Sequence, residues 1–179
     1  DYEKMKEKAS RLGFRPVNMN AKYDISIKNI WKKSVSRNIA GYIKGSKRPD
    51  EVIVYCAHWD HFGKNKPVNG DSIYNGASDN AAAISWMLSI AKAVKMGETP
   101  ERSVLFLAPT AEEAGMLGST YFVAHSPFSM QKTVACINTD VILFLGKFKD
   151  VTVTGLGNSE LDRYIKEEAI KQGRYVCSD

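Results

Sequence analysis

The apolar positions of the chain change period several times, and each change marks an element. Over residues 1–12, Tyr2, Met5, Ala9 and Leu12 fall on one narrow stripe with charges elsewhere, which predicts a surface helix. "SRNIAGYIKG" and "DEVIVYCA" are strand-like runs joined by the turn-rich "GSKRPD", an arrangement that predicts an antiparallel pair. From Gly63 to Ser78 the chain is rich in Gly, Asn and Pro and reads as a long loop. "DNAAAISWMLSIAKAVKMG" is apolar on nearly every side, which predicts a buried helix packed on a sheet. "RSVLFLAPT" follows as a central strand, then a helix from about Glu113 to His125, then the strands "TVACINTD" and "DVTVTG". A last amphipathic helix near Ser159 to Gln172 turns Leu161, Tyr164, Ile165 and Ala169 inward. Strands alternating with helices predict the α/β class, a three-layer αβα sandwich on a mixed, mainly parallel central sheet. No internal repeat interrupts this order. At 179 residues and 44% hydrophobic the chain suits one core, so a single domain is expected over 1–179, with 1–34 as an N-terminal helix and lead-in.

In such sheets the chemistry gathers beyond the carboxyl ends of the strands. Taken in order, those ends are "AHWDH" after "VIVYC", "TAEEAG" after "VLFLAP" and "NTD" after "VACI", while "NGASDNAAA" opens the apolar helix. They would bring His58, Asp60, Asp79, Glu112, Glu113 and Asp140 to one edge. Singly, each has an ordinary structural explanation: a partly buried histidine, a helix N-cap for Asp79, first-turn charges on a helix dipole for Glu112 and Glu113, a turn for Asp140. Together they place five carboxylates at one edge, where mutual repulsion in a low dielectric is severe. Two divalent cations would largely cancel that charge, and His with Asp/Glu and no thiolate suits zinc, ahead of manganese or cobalt. Asp71 competes with Asp79, which is preferred because "NGASDN" delivers it to a helix N-terminus.

Composition and charge change little. The net charge of +5 hides 13 Lys/Arg against 5 Asp/Glu in residues 1–50, and 12 against 15 in the remainder. The front-end lysines are scattered, with no aromatic-interleaved motif, so they read as a solvated surface and no nucleic-acid partner is expected. No apolar run approaches the ~18 residues of a membrane span, and no signal-like leader opens the chain. Cys56, Cys136 and Cys177 lack C-x-x-C spacing, which argues against a disulfide framework or thiolate site; Cys56 and Cys136 are expected as small core residues.

"VIVYCAHWDHFG", "GDSIYNGASDNAAA", "LFLAPTAEEAGMLGS" and "INTD" resemble successive blocks of the co-catalytic zinc aminopeptidases, a family that also contains glutamate carboxypeptidases and secreted bacterial peptidases. The resemblance spans roughly residues 35–175. It implies that His58 and Asp140 hold one metal, that Asp79 bridges two with a cis Asp79–Asn80 peptide, that Glu113 holds the second, and that Glu112 is the general base. It implies Asp60 as a partner of His58, and a metal-bound imidazole does usually donate its other N–H to a carboxylate. His61 has no ligand role in the family and is expected as a rim or packing residue; His125 is expected on the surface. The family's further histidine, downstream of the "NTD" block, has no counterpart after His125, so the chain is expected to be a truncated catalytic domain. Two zinc ions are implied for an intact domain and fewer for this fragment. The implied activity is an aminopeptidase-like metallopeptidase on peptide substrates, extracellular or periplasmic, with a one-zinc glutaminyl cyclase or a noncatalytic peptidase-like domain as alternatives. Oligomeric state is not legible.

Overall fold

The computed structural model describes residues 1–178, which fall into two units, Asp1–Ser34 and the chain from Val35 onward. In the first, Asp1 caps helix α1 (Tyr2–Ala9) by accepting the Glu3 amide at 3.1 Å, and none of the helix's residues is buried. It is the expected surface helix, about a turn shorter than its stripe.

In the second unit the chain runs β1 (Ile39–Ile43), β2 (Arg48–Cys56), β3 (Lys64–Val68), β4 (Asp71–Ile73), α2 (Ala82–Met96), β5 (Arg102–Ala108), α3 (Leu117–Ala124), β6 (Thr133–Asn138), β7 (Asp150–Val153), α4 (Leu161–Lys171) and β8 (Tyr175–Ser178). The central sheet has the order β1-β5-β2-β6, with β2 parallel to both β5 and β6 and β1 antiparallel to β5. The mixed, mainly parallel sheet expected from the sequence is therefore present. Strand β5 is buried on both faces from Ser103 to Ala108, as a continuous apolar run in a parallel sheet should be. Val104, Phe106 and Ala108 pack on Ala83 and Met87 of α2, while Leu105 and Leu107 join Val52, Val54 and Cys56 under Phe122 of α3 and Phe128. Helices thus cover both faces, and each of these large side chains contributes about 1.5–3 kcal/mol of burial.

Four expectations differ. β1 and β2 do not pair; β5 lies between them. The connection crosses the start of β5, where Gly45 donates to the Ser103 hydroxyl at 3.0 Å and the Ser46 amide to the Pro100 carbonyl at 2.9 Å. A Cβ on Gly45 would sit 2.6 Å from both the Glu101 carbonyl oxygen and the Ser103 amide, so only glycine lets the two backbones approach. The stretch after Gly63 carries a small hairpin, β3–β4, closed by the Tyr74 amide on the Gly63 carbonyl. Helix α2 is packed on one side only, with Leu88 60% exposed. Cys136 lies exposed on β6, the edge strand; Cys56 is buried, and desolvation, helped by Cys136, pushes its thiol up to about 12.

Beyond β6, strands β7 and β8 form a separate parallel pair joined through α4. Of the four residues expected to face inward on α4, Ala169 is buried and Tyr164 is half exposed. No helix among the described residues is long and apolar enough to cross a membrane.

Candidate active site

The parallel strands β2, β5 and β6 end at the same edge, and the backbone ladder continues past them. The Ala57 amide reaches the Leu107 carbonyl at 3.2 Å, Trp59 reaches Pro109 at 3.1 Å, and Thr139 reaches Cys56 at 3.1 Å. This keeps His58 and Asp140 in register beyond the last formal strand residues. A second set of bonds stitches in the turn before α2. The Ser78 hydroxyl donates to the Ile142 carbonyl at 2.7 Å, and the Asn80 side-chain amide to the Thr139 carbonyl at 3.2 Å. Asp79 is thereby set beside Asp140, and the Asp79–Asn80 peptide is cis.

The Glu pair arrives by a different route from the one expected. It lies not in the first turn of α3 but in the turn before it, which reverses at Ala111 (φ 54°) and again at Met116 (φ 58°). A non-glycine residue in the left-handed region costs roughly 1–2 kcal/mol, so two of them flanking the pair need outside support. Asp60 supplies part of it. Its carboxylate accepts the amide of Glu112 at 3.0 Å and that of Glu113 at 3.3 Å. The expected role of that carboxylate as the partner of His58 goes elsewhere: His58 Nδ1 meets the Asp60 backbone carbonyl at 3.0 Å, with the carboxylate at 3.8 Å. The carboxylate is instead taken up by the two Glu amides.

His58 is 3% exposed and is the best-fixed group of the site. A carbonyl only accepts, so Nδ1 carries the proton, and Nε2 offers a lone pair whenever the ring is neutral. That lone pair faces Asp140 Oδ1 and Asp79 Oδ1, both at 3.2 Å, with Glu112 Oε2 at 4.0 Å. Two carboxylates around one unshared pair are repulsive unless a proton or a cation lies among them. Burial opposes charging of the ring, but Asp140 above all, then the Asp60 carbonyl and Glu112, outweigh it and raise its pKa. One proton cannot serve both oxygens, and Asp79 Oδ1 is left buried without a hydrogen-bond partner among the described residues. The Glu112 carboxyl is also pushed up, first by desolvation and then, against the pull of His58, by the charges of Asp140, Glu113 and Asp60.

Two ligand-like sets result. His58, Asp79 and Asp140 form one; His61, Asp79 and Glu113 form the other, and within each the donor atoms lie within 4.8 Å of one another. Asp79 belongs to both, its Oδ1 towards His58 and its Oδ2 towards His61 at 3.8 Å. Ligands bound tetrahedrally at about 2.0–2.1 Å lie roughly 3.3 Å apart, so the 3.2 Å spacings around His58 suit a zinc-sized ion. The orphaned Asp79 oxygen is the atom such an ion would satisfy. The structure thus gathers His58, Asp60, Asp79, Glu112, Glu113 and Asp140 at one edge. His125 sits exposed at the end of α3, where its ring stacks on Tyr121. Asp71 starts β4, where its carboxylate accepts the Ile73 amide. His61 is the addition: the sequence put it on the rim, and the two histidines of "HWDH", which look like a double ligand set, were the signal that hinted otherwise.

The chain is similar to known proteins. Aminopeptidase NAALADL1 of Mus musculus is 32% identical over 126 residues, 67% of this chain, and the glutamate carboxypeptidase 2 homolog of Caenorhabditis elegans is 32% identical over 127 residues, 68% of this chain. The chain spans 15% of the length of each of these relatives. The crystal structure of BSAP, a zinc aminopeptidase from Bacillus subtilis, matches 79% of this chain and 34% of its own with a TM-score of 0.61 at 28% identity. A glutaminyl cyclase from Bacteroides thetaiotaomicron, at 21% identity and a TM-score of 0.59 over 79% of this chain and 56% of its own, shares the fold. Residues 38–179, which hold every group of the site, match peptidase family M28, and the chain belongs to that family.

Proposed function

We propose that the protein is a metal-dependent exopeptidase, aminopeptidase-like and zinc-dependent, in which Glu112 moves the protons. One observation carries the reading: a buried His58 whose lone pair faces two carboxylate oxygens at 3.2 Å, one of them otherwise unpartnered, with a raised-pKa glutamate 4.0 Å away. His58, Asp79 and Asp140 would hold one ion, and Asp79 and Glu113 a second. Divalent zinc bound there supplies Lewis acidity, making a water acidic enough to react near neutral pH and polarising a peptide carbonyl.

The chain's own residues do the rest. The Asp60 carbonyl keeps the proton on His58 Nδ1 and so keeps Nε2 available. The Asp60 carboxylate, bonded to two successive amides, fixes the backbone from which Glu112 and Glu113 diverge. Adjacent residues of a turn point different ways, so Glu113 turns into the second set while Glu112 faces the space in front of His58. Burial and neighbouring negative charge make Glu112 a stronger base than an ordinary carboxylate. It takes the proton of the attacking water and delivers it to the departing amine, a step worth about 10²–10⁴-fold. Glu112→Gln keeps the shape and removes the base. We expect peptide-bond hydrolysis to fall by about 10²–10⁴-fold while zinc content, measured by atomic absorption on the same preparation, stays at the wild-type level. Wild-type turnover in that variant would remove Glu112 from the mechanism.

A further inference from the structure

The second ligand-like set contains a contact that is not spaced like a pair of ligands. His61 Nδ1 lies 2.7 Å from Glu113 Oε1, well inside the roughly 3.3 Å that separates two donors on a tetrahedral zinc. It is the length of a charge-assisted N–H···O bond. A carboxylate only accepts, so the proton is on Nδ1, and a protonated ring nitrogen has no lone pair to offer an ion. The contact is also built rather than incidental. The His61 side chain is 20% exposed and that of Glu113 16%. The ring lies against Phe62, with centroids 4.9 Å apart, and meets Tyr74 edge-on at 6.3 Å. Gly76 closes the remaining side: a Cβ there would stand 3.0 Å from that of His61.

We propose that His61 is a positioning residue for this site: its Nδ1–H holds Glu113 Oε1, which leaves the other carboxylate oxygen as the one offered to a cation. Side chains thereby extend, beyond the end of the sheet, the coupling of two neighbouring strands. The loop after β2 fixes the turn after β5 twice, through the Asp60 carboxylate on the backbone and through His61 on the Glu113 side chain. The proposal rests on reading Glu113 as a metal ligand, and the experiment keeps the two apart.

The test joins ¹⁵N-histidine NMR with zinc titration of the whole protein. We expect His61 in the Nδ1–H tautomer both without zinc and with it. His61→Phe keeps a ring in the aromatic clamp but removes the donor; it should weaken the second zinc roughly 10–100-fold and leave the first unchanged. His61→Asn, whose side-chain N–H₂ stands near where Nδ1–H stood, should recover most of that loss. An unprotonated, zinc-bound Nδ1 in the loaded protein, or His61→Asn as damaging as His61→Phe, would make His61 a ligand and overturn the proposal, as would wild-type zinc affinity in His61→Phe. If wild-type protein binds fewer than two zinc ions, the two-metal reading fails. The zinc-free tautomer then decides the contact alone, Nδ1–H upholding it and Nε2–H removing it.

Discussion

Asp60 divides its polar atoms between the two halves of the site. Its carbonyl takes the His58 Nδ1–H, and its carboxylate takes the amides of Glu112 and Glu113. Because the imidazole depends on the main chain, Asp60→Ala should leave the zinc held by His58, Asp79 and Asp140 nearly as tight as before. The same change strips the Glu turn of both acceptors, so activity and second-site zinc affinity should fall roughly 10–100-fold, the range found when a ligand's supporting bond is lost. Asp60→Asn retains one acceptor oxygen and should fall between. Competition titration with a zinc chelator separates the two sites, and a selective loss at the His58 site would restore the carboxylate as that histidine's partner. At this scale residue types were legible and pairings were not. His58, Asp79, Glu112, Glu113 and Asp140 declared themselves by following apolar runs. Which oxygen of Asp60 meets which N–H depends on a turn whose shape no local pattern encodes, and His61 was hidden for the same reason.

Between elements, the crossing at Gly45 carries the sheet order. Its amide is spent on the Ser103 hydroxyl, and an added Cβ would meet backbone on three successive residues, Glu101, Arg102 and Ser103, which cannot swing aside as a side chain would. Gly45→Ala should therefore destabilise the protein by about 1–3 kcal/mol, the usual cost of forcing atoms into a filled site. The crossing is at the start of β5 and the metal-binding residues follow its end, so zinc stoichiometry of the folded fraction should be unchanged. Urea unfolding monitored by tryptophan fluorescence gives the first quantity, and an unshifted midpoint would show that β1 and β5 separate at no cost. The same crossing explains why the strand neighbours were misread. "GSKRPD" is good local turn chemistry, and local chemistry predicts a hairpin. The choice of neighbour is instead made by β5, whose six successive buried residues need a strand on either side. The start of α3 was misplaced for a related reason. Asn38 bonds the Gly118 carbonyl at 2.7 Å and the Thr110 amide at 3.0 Å, so a residue near β1 sets where the turn ends and the helix begins.

Over the whole molecule, the apolar core and the acidic edge pull in opposite directions. Burying β5 brings the ends of three parallel strands together, and with them Asp60, Asp79, Glu112, Glu113 and Asp140 around His58 and His61. Without a cation the charge is borne by raised pKa values at His58 and Glu112 and by an unpartnered Asp79 oxygen. An ion that binds this edge and not the unfolded chain must therefore stabilise the fold by mass action. At a free zinc concentration one hundred times the dissociation constant, each occupied site adds about 2.7 kcal/mol, which for a chain of this size is roughly 5–10 °C in the unfolding midpoint. Scanning calorimetry after chelation and after zinc is restored measures the shift. His58→Ala should lose the part due to its own set while keeping whatever Asp79 and Glu113 hold through the second. A midpoint indifferent to zinc in the wild type, or equally responsive in His58→Ala, would mean that the carboxylates meet at this edge for some reason other than a metal.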